Sequence, residues 1–317
     1  MFRLRRWCAG PRRKLIEIVA GMLLIFLSAF LARPLVAQRG GDVHQDPTGD
    51  WVQTGTEDRM EHGGGPEIGD YLGVPINEAA RYAADAWNAD IVSTPENVCK
   101  GHSADHSWRE GLPAGRIWAE VDQNQKVVAY HTFLQLMGPE ETFYMDGRPH
   151  PPWYAPYTWQ GFSTGKWEGD ILAVTTDHMK NNLLKWTGIP RSEKAVLNRH
   201  FMRHEDYLTM VQVIYDPAYL TEPWILSLDY VNRPGINLTA YRCEEWDSGD
   251  VPQGFVPSRM PGTNEFLNEF PARHGIPPKA TRGGAETMYP EYIVKMKTMK
   301  KLPRIPNPFT NFNGSVN

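Results

Sequence analysis

The densest group of chemically active side chains in this sequence lies between residues 146 and 150. Asp146, Arg148 and His150 alternate there with a glycine and a proline. A carboxylate beside an imidazole can orient the ring or raise its basicity, and a guanidinium can stabilise an anion. The group therefore fits a hydratase, isomerase or lyase in which His150 is the general acid or base, oriented by Asp146, with Arg148 binding the anion. The structural alternative is an Asp-Gly turn in which Arg148 pairs with the carboxylate.

Aromatic residues follow this group and could line the mouth of an apolar pocket, although aromatic residues are equally common in a barrel core. Loops at the ends of strands are where ligand and catalytic groups tend to lie. We therefore predict a ligand site here. The predicted ligand-binding residues are Arg148, His150, Trp153, Tyr157, Trp159 and His131.

Other histidines give weaker signals. His200, Met202 and His204 alternate, so they share one face of a strand and together would suit copper. The alternative is an ordinary solvated outer face, and we predict neither a metal site nor a cofactor. One of His131 and His178 could point into a barrel, but hydrogen-bonded core histidines are the simpler interpretation.

No nucleophile elbow, phosphate-binding loop or dense metal-ligand cluster occurs in the sequence. Whether the protein is an enzyme therefore stays open.

The elements that must position these groups are mainly strands. The run 159–176 contains two β-patterned arms that meet at Glu168-Gly169, which predicts a hairpin with a two-residue loop and a structural role for Asp170. The full set of predicted strands is 116–121, 126–133, 141–145, 158–167, 170–177, 195–204, 207–215, 224–231 and 236–242, with one more around Trp51. About ten short strands with no helix between them predict an all-β fold, an antiparallel meandering barrel.

Helices are expected only at the two flanks. Asn77 is a suitable N-cap for a short amphipathic helix over 77–88. A Pro- and Gly-rich arm over 249–290 should wrap the barrel and end in a packed helix over 290–301. Four segments result: a leader (1–37), a strand, helix and loop extension (38–115), the barrel core (116–248) and the C-terminal arm (249–317).

The first 37 residues have a basic start, an apolar stretch from Ile18 to Ala32 and an Ala-ending cleavage site at Ala37. This pattern is typical of an export signal, so we expect a periplasmic or secreted protein that leaves no stable membrane insertion after cleavage. An uncleaved anchor is the alternative, although the stretch is shorter than the ~20 residues that a spanning helix needs. An arginine pair at Arg12-Arg13 also resembles a twin-arginine leader, and the export route stays open.

Charge and cysteine use agree with export. Removing the leader changes the formal net charge from −4 to −10, with 26 basic against 36 acidic residues. An acidic chain without a basic stripe is a poor nucleic-acid binder, so we expect no such partner. The mature chain keeps Cys99 and Cys243, an even pair that predicts one disulfide in an oxidising compartment; two buried free thiols are the alternative. Nothing in the sequence fixes the oligomeric state.

Several motifs resemble a large family of exported bacterial proteins of unassigned function. They are Asp146 to Pro151 (DGRPHP), Trp159 to Asp170 (WQGFSTGKWEGD), the strand from Asp206 to Pro217, and Gly283 to Glu291 (GGAETMYPE). The resemblance spans nearly the whole mature chain and implies export but no activity. Two positions differ, because Arg191 and Arg199 stand where many members have His and Glu.

At the level of fold alone, the chain resembles lipocalin-like barrels. These often carry Gly-x-Trp on the first strand, a pattern that Gly49-Asp50-Trp51 satisfies and Gly165-Lys166-Trp167 satisfies a second time. Eight to ten strands can enclose one small ligand. Binding of a small, largely apolar molecule in the barrel is therefore our leading hypothesis. The alternatives are an enzyme that uses the rim group 146–150, and an envelope structural or partner-binding protein with its aromatic residues outside.

Overall fold

The structure, a computed structural model, describes residues 45–56, 67–71, 73–94, 97, 99–109, 114–135, 138–240 and 256–306. Within these ranges the chain forms eleven strands. They are β1 (Gly49–Thr56), β2 (Ala114–Val121), β3 (Val127–Leu134), β4 (Glu140–Tyr144), β5 (Phe162–Glu168), β6 (Ile171–Asp177), β7 (Asn182–Lys185), β8 (Ile189–Arg191), β9 (Val196–His204), β10 (Tyr207–Tyr215) and β11 (Trp224–Asn232).

Nine of these described strands close into a barrel in the order β1-β11-β10-β9-β6-β5-β4-β3-β2. The first strand pairs with both the second and the last, which removes the open edges of the sheet. The predicted all-β barrel is confirmed, and the Gly-x-Trp strand lies where it closes. Trp51 is fully buried and its indole N–H donates to the carbonyl of Pro47 at 2.8 Å.

One neighbouring pair departs from the antiparallel meander. β4 and β5 run parallel, with Phe143 opposite Ser163 and Tyr144 opposite Thr164. The long connection 145–161 carries the chain back before β5 begins, and its four prolines cannot extend a strand ladder. The predicted strand 158–167 accordingly starts only at Phe162, because Gly161 before it has φ +67°.

The hairpin between β5 and β6 is confirmed, but its turn lies one residue later than predicted. Glu168 is still paired with Ile171, so the two loop residues are Gly169 and Asp170 rather than Glu168 and Gly169. Gly169 has φ +61°, and the primed turns that suit hairpins need positive φ at their first central residue. The paired part of β5 therefore ends at Glu168, the residue directly before Gly169.

Two strand predictions failed around the barrel. The hairpin of β7 and β8 was missed, and it separates β6 from β9 along the chain, although these two strands pair in the barrel. Its arms are too short to show a period, and Pro190 interrupts the second. In contrast, residues 236–240 form no strand. β1 already occupies the free edge of β11, and Asp50 accepts the backbone N–H of Gly235 at 3.0 Å, which fixes the chain as a turn.

Side chains fill the interior of the barrel. One buried cluster packs between the strands; its members are Trp51, Trp108, Ile117, Tyr130, Leu134, Phe143, Leu172, Val174, Phe201, Leu208, Met210, Leu228 and Tyr230. The interior also holds a buried ion pair between Arg199 and Glu141, which Thr176 and Ser163 complete with hydrogen bonds. These added hydrogen bonds offset part of the cost of removing the two charges from water.

A second apolar cluster covers one end of the barrel. Helix α1 (Glu78–Asp85), the short helix α2 (Ala104–Ser107) and the β7–β8 hairpin bring Ala80, Ala104 and Leu184 onto barrel residues such as Leu197. α1 begins as predicted, since the Asn77 side chain accepts from the N–H of Ala80 at 3.0 Å. Residues 103–109 are buried along their whole length and close this end.

The C-terminal arm packs on α1. It contains α3 (Glu269–His274), α4 (Pro278–Thr281) and α5 (Pro290–Met296), with 3₁₀ turns at Glu265–Asn268 and Ala285–Met288. The Asn264 side chain donates to the carbonyls of Asp85 and Trp87 at 2.9 and 3.1 Å. The predicted C-terminal helix forms but ends at Met296, and none of its residues is buried, so the packing predicted for it is not confirmed. In the part of the chain that the structure describes, no helix combines the length and the apolar character that crossing a membrane requires.

Candidate functional site

Two members of the predicted rim group, Asp146 and Arg148, pair with each other. Arg148 forms a forked ion pair with Asp146, with Nε at 2.9 and 3.0 Å from the two carboxylate oxygens and Nη2 at 2.5 Å from Oδ2. The guanidinium also lies 3.7 Å from the centre of the Tyr144 ring. The hydrogen bonds from Arg148 lower the pKa of Asp146 to about 2. These contacts match the alternative to a catalytic group, in which Arg148 pairs with the carboxylate of an Asp-Gly turn.

His150 contacts residues of β5 and β6. Its Nδ1 lies 2.8 Å from Oδ1 of Asp177, and its Nε2 lies 2.7 Å from the hydroxyl of Thr164. The carboxylate that orients His150 is therefore that of Asp177, which corrects the role expected for Asp146. A strand-end residue was not predictable as its partner, because the connection 145–161 folds back over β5 and β6.

Asp177 also binds a second imidazole. Its Oδ1 lies 2.8 Å from Nδ1 of the buried His178, whose Nε2 lies 2.9 Å from the carbonyl of Pro152. Burial alone would lower the pKa of His178, but its hydrogen bonds to Asp177 and Pro152 raise the pKa above its usual value. His178 has φ +55°, a conformation that favours glycine, and Tyr157 stacks on its ring at 5.0 Å. The cluster attaches the rim connection to β6.

The remaining predicted ligand residues point elsewhere. Trp153 is 81% exposed, and His131 lies on the outer face of β3, stacked on Trp118 with Nε2 2.8 Å from Glu120. His200, Met202 and His204 alternate with buried residues on β9 and so share its outer face. The ring of Trp159 lies 5.2 Å from the amine of Lys100 and 5.1 Å from that of Lys180.

The described cavity with the most enclosed walls lies at the covered end of the barrel and has a volume of about 190 Å³. None of its lining residues belongs to a barrel strand. Its apolar walls are Trp87, Ile91, Leu183 and Trp186. Its polar walls are Asn97, Lys100, His102, His106, Asn181 and Asn182. None of the six ligand residues predicted from the sequence lines it.

A buried polar framework holds the wall that carries the histidines. Asp105 lies 3.1 Å from Nε of Arg191, and both side chains are 0% exposed. Ser103 donates to Asp105 at 2.6 Å and accepts from the side chain of Asn182 at 2.9 Å. Gln212 of β10 donates to the carbonyl of Asp105 at 2.8 Å. α2 is thereby tied to the β7–β8 hairpin on one side and to the barrel on the other.

The rings at the cavity meet edge to face. The His106 centroid lies 5.4 Å from that of His102 and 5.5 Å from that of Trp186. Such contacts fix ring orientation as well as burying area. The two imidazoles and one indole therefore form a rigid corner of the cavity.

Lys100 enters the same wall. Its Nζ lies 5.2 Å from the centre of the Trp159 ring, on which Lys180 also lies at 5.1 Å. Burial, and secondarily the charge of Arg191, lower the pKa of Lys100 below its usual value. The site thus combines one amine of lowered basicity, two imidazoles and three amides over an apolar floor.

Sequence reasoning missed this site although its residues are adjacent in the chain. Lys100, His102 and His106 fall within the irregular stretch 93–115, which shows no helical or strand period. The sequence signal that could have found the site is the close spacing of Lys100, His102 and His106 beside Cys99. The opposite wall comes from the β7–β8 hairpin, whose position could not be read from its short arms.

Within the described residues, no group of three or more His, Cys, Asp and Glu side chains is arranged to hold a metal ion. No protein-family model, curated protein or solved structure matches the chain. The resemblance to exported bacterial proteins therefore stays a prediction, and function has to be argued from the site itself.

Proposed function

We propose that this protein binds a small, largely apolar molecule in the cavity at the covered end of its barrel. The observation that carries the proposal is the composition of that cavity: indole and aliphatic walls with a few polar groups on one side. Ligand sites have this composition in general. The barrel interior is filled by its own side chains, so the cavity replaces it as the binding place in this proposal.

The polar end of the ligand should be a hydrogen-bond acceptor. The polar wall residues are one lysine, two histidines and three asparagines, each of which can donate, and the described lining contains no carboxylate. A ligand that carries an amine would lie beside the amine of Lys100, and the described lining has no carboxylate to pair with it. An aromatic or unsaturated acid, aldehyde or ketone fits both the floor and the donors.

The size of the cavity limits the ligand further. A volume of about 190 Å³ corresponds to about six water molecules, below the range of drug-sized sites. A single substituted ring fills such a space. Benzoate is therefore a suitable probe, and benzylamine is its matched opposite in charge.

Calorimetric titration of the mature protein tests the proposal. Benzoate should bind, and benzylamine should bind at least about tenfold more weakly, a difference of about 1.4 kcal/mol. Leu183→Trp, which fills the cavity, should abolish benzoate binding. Ile225→Trp adds the same ring on the 58% exposed outer face of β11 and should leave binding intact. Equal loss in both variants, or equal binding of the two probes, would refute the proposal.

We also propose that the protein acts after export, on the basis of the leader-like segment 1–37 and the motifs shared with exported proteins. Expression in a bacterial host with a periplasm, followed by fractionation and N-terminal sequencing, should give a periplasmic chain that begins at Gln38. An intact leader in the membrane fraction would instead indicate an anchor.

A further inference from the structure

The amine of Lys100 is the one strong nucleophile among the described walls of the cavity. Aliphatic amines attack carbonyl carbons only in their neutral form, and a lysine is activated when it is desolvated or lies next to another cation.

The neighbouring cation is Arg191. Its side chain is fully buried and held in place by Asp105, by the carbonyl of Lys180 at 2.7 Å and by that of Ser192 at 2.9 Å. Arg191 is therefore held in one position relative to Lys180, whose amine lies over the same Trp159 ring as that of Lys100. Asp105, the acidic group of this framework, is already engaged by Arg191 and Ser103. Arg191 is thus held in one position by its ion pair with Asp105, and the described cavity lining offers no carboxylate to pair with Lys100.

Lys180 provides an internal comparison. Its Nζ lies over the same Trp159 ring at nearly the same distance as that of Lys100. Lys180 is exposed and does not line the cavity, whereas Lys100 is half-buried and does. The two lysines share an aromatic neighbour and differ in access to the cavity.

We infer that Lys100 forms an imine with small aldehydes or ketones that bind in this cavity. The inference rests on the proposed binding function and adds a covalent step to it. The half-buried position of Lys100 in the cavity wall, with no carboxylate in the described lining, favours the neutral amine that this step needs.

The step balances without an oxidant or reductant. The nitrogen lone pair forms a bond to the carbonyl carbon, and the π electrons of the carbonyl move to its oxygen, which takes up a proton while the nitrogen loses one. The resulting carbinolamine is protonated at its hydroxyl and loses water as the C=N bond forms; the nitrogen then returns a proton. His102 and His106 line the same cavity and are the groups suited to carry these protons.

Reductive trapping tests the inference. The mature protein is incubated with benzaldehyde and sodium cyanoborohydride, and the adduct is located by intact mass and peptide mapping, which separates Lys100 from the amino terminus. We expect one fast adduct at Lys100, its loss in Lys100→Arg and its retention in Lys180→Arg. Benzoate should slow the reaction by competition. The labelling rate at Lys100 should level off below about pH 10.4, the usual pKa of lysine.

The outcomes separate the two proposals. Benzoate binding without preferential labelling of Lys100 would overturn the imine and leave the binding function. An adduct that persists at the same rate in Lys100→Arg would also overturn it. Absence of both benzoate binding and Lys100 labelling would refute both. Circular dichroism and the melting temperature of Lys100→Arg show whether that variant is folded.

Discussion

The carboxylate of Asp177 links the rim connection to the barrel through His150 and His178, each with an imidazole nitrogen 2.8 Å away. The hydrogen bonds of His178 to Asp177 and to the carbonyl of Pro152 are stronger when its imidazole is charged, so they raise the pKa of His178 despite its burial. A group with a raised folded pKa contributes stability below its unfolded pKa of about 6.5 and loses that contribution as pH rises through the folded pKa.

We predict that Asp177→Asn lowers the free energy of unfolding by about 1 kcal/mol near pH 6, because the charge assistance of the hydrogen bonds is lost. The difference from the native protein should shrink as pH rises through the raised pKa of His178, because the imidazole loses the charge that strengthens its hydrogen bond to Asp177. Urea unfolding across this range measures it. Asp170→Asn, which neutralises an exposed carboxylate at the other end of β6, should show no such trend; a difference that does not change with pH would contradict the prediction.

The β5–β6 hairpin shows how far local rules predict an element. Its existence followed from two alternating arms and a glycine, and the structure confirms it. The position of the turn depends on which residue needs positive φ, and the sequence run contains no second signal to settle a shift of one residue. In contrast, the parallel pairing of β4 with β5 depends on the path of residues 145–161, and no local pattern encodes that path.

Replacement of Gly169 tests the turn. A side chain at φ +61° costs about 1–2 kcal/mol, and no atom lies within 4 Å of the position that a Cβ would take, so only backbone conformation is affected. Gly169→Ala should lose this amount in thermal or urea unfolding, and Gly169→Asn should lose less, because asparagine tolerates this region. Similar losses for both would indicate that the turn has another conformation.

The barrel and the candidate site differ in how the sequence encodes them. Alternation on neighbouring strands, such as the buried Leu208, Met210 and Gln212 of β10, makes the barrel predictable from the pattern alone. The cavity instead joins Lys100 and His106 to the β7–β8 hairpin through the ion pair between Asp105 and Arg191. These contacts bring together residues roughly eighty positions apart in irregular chain. The same irregular stretch contains Cys99.

The proposed disulfide would connect that cavity wall to the segment after the last barrel strand. Cys99 is half-buried next to Lys100, and Cys243 lies outside the described residues, so the pairing stays a prediction. A bond between them would close a loop of about 145 residues and should stabilise the fold by about 2–5 kcal/mol. It would also restrain the backbone beside Lys100.

We therefore predict two effects of the double variant Cys99→Ser with Cys243→Ser. The free energy of unfolding should fall by about 2–5 kcal/mol relative to the oxidised protein, because the unfolded chain is no longer cross-linked. Benzoate binding should weaken while the β-sheet circular dichroism stays unchanged, since the loss falls on the cavity wall rather than on a barrel strand. A reductant should reproduce both effects in the native protein and change nothing in the variant. Labelling of two free thiols in the oxidised, unfolded mature protein would exclude the bond.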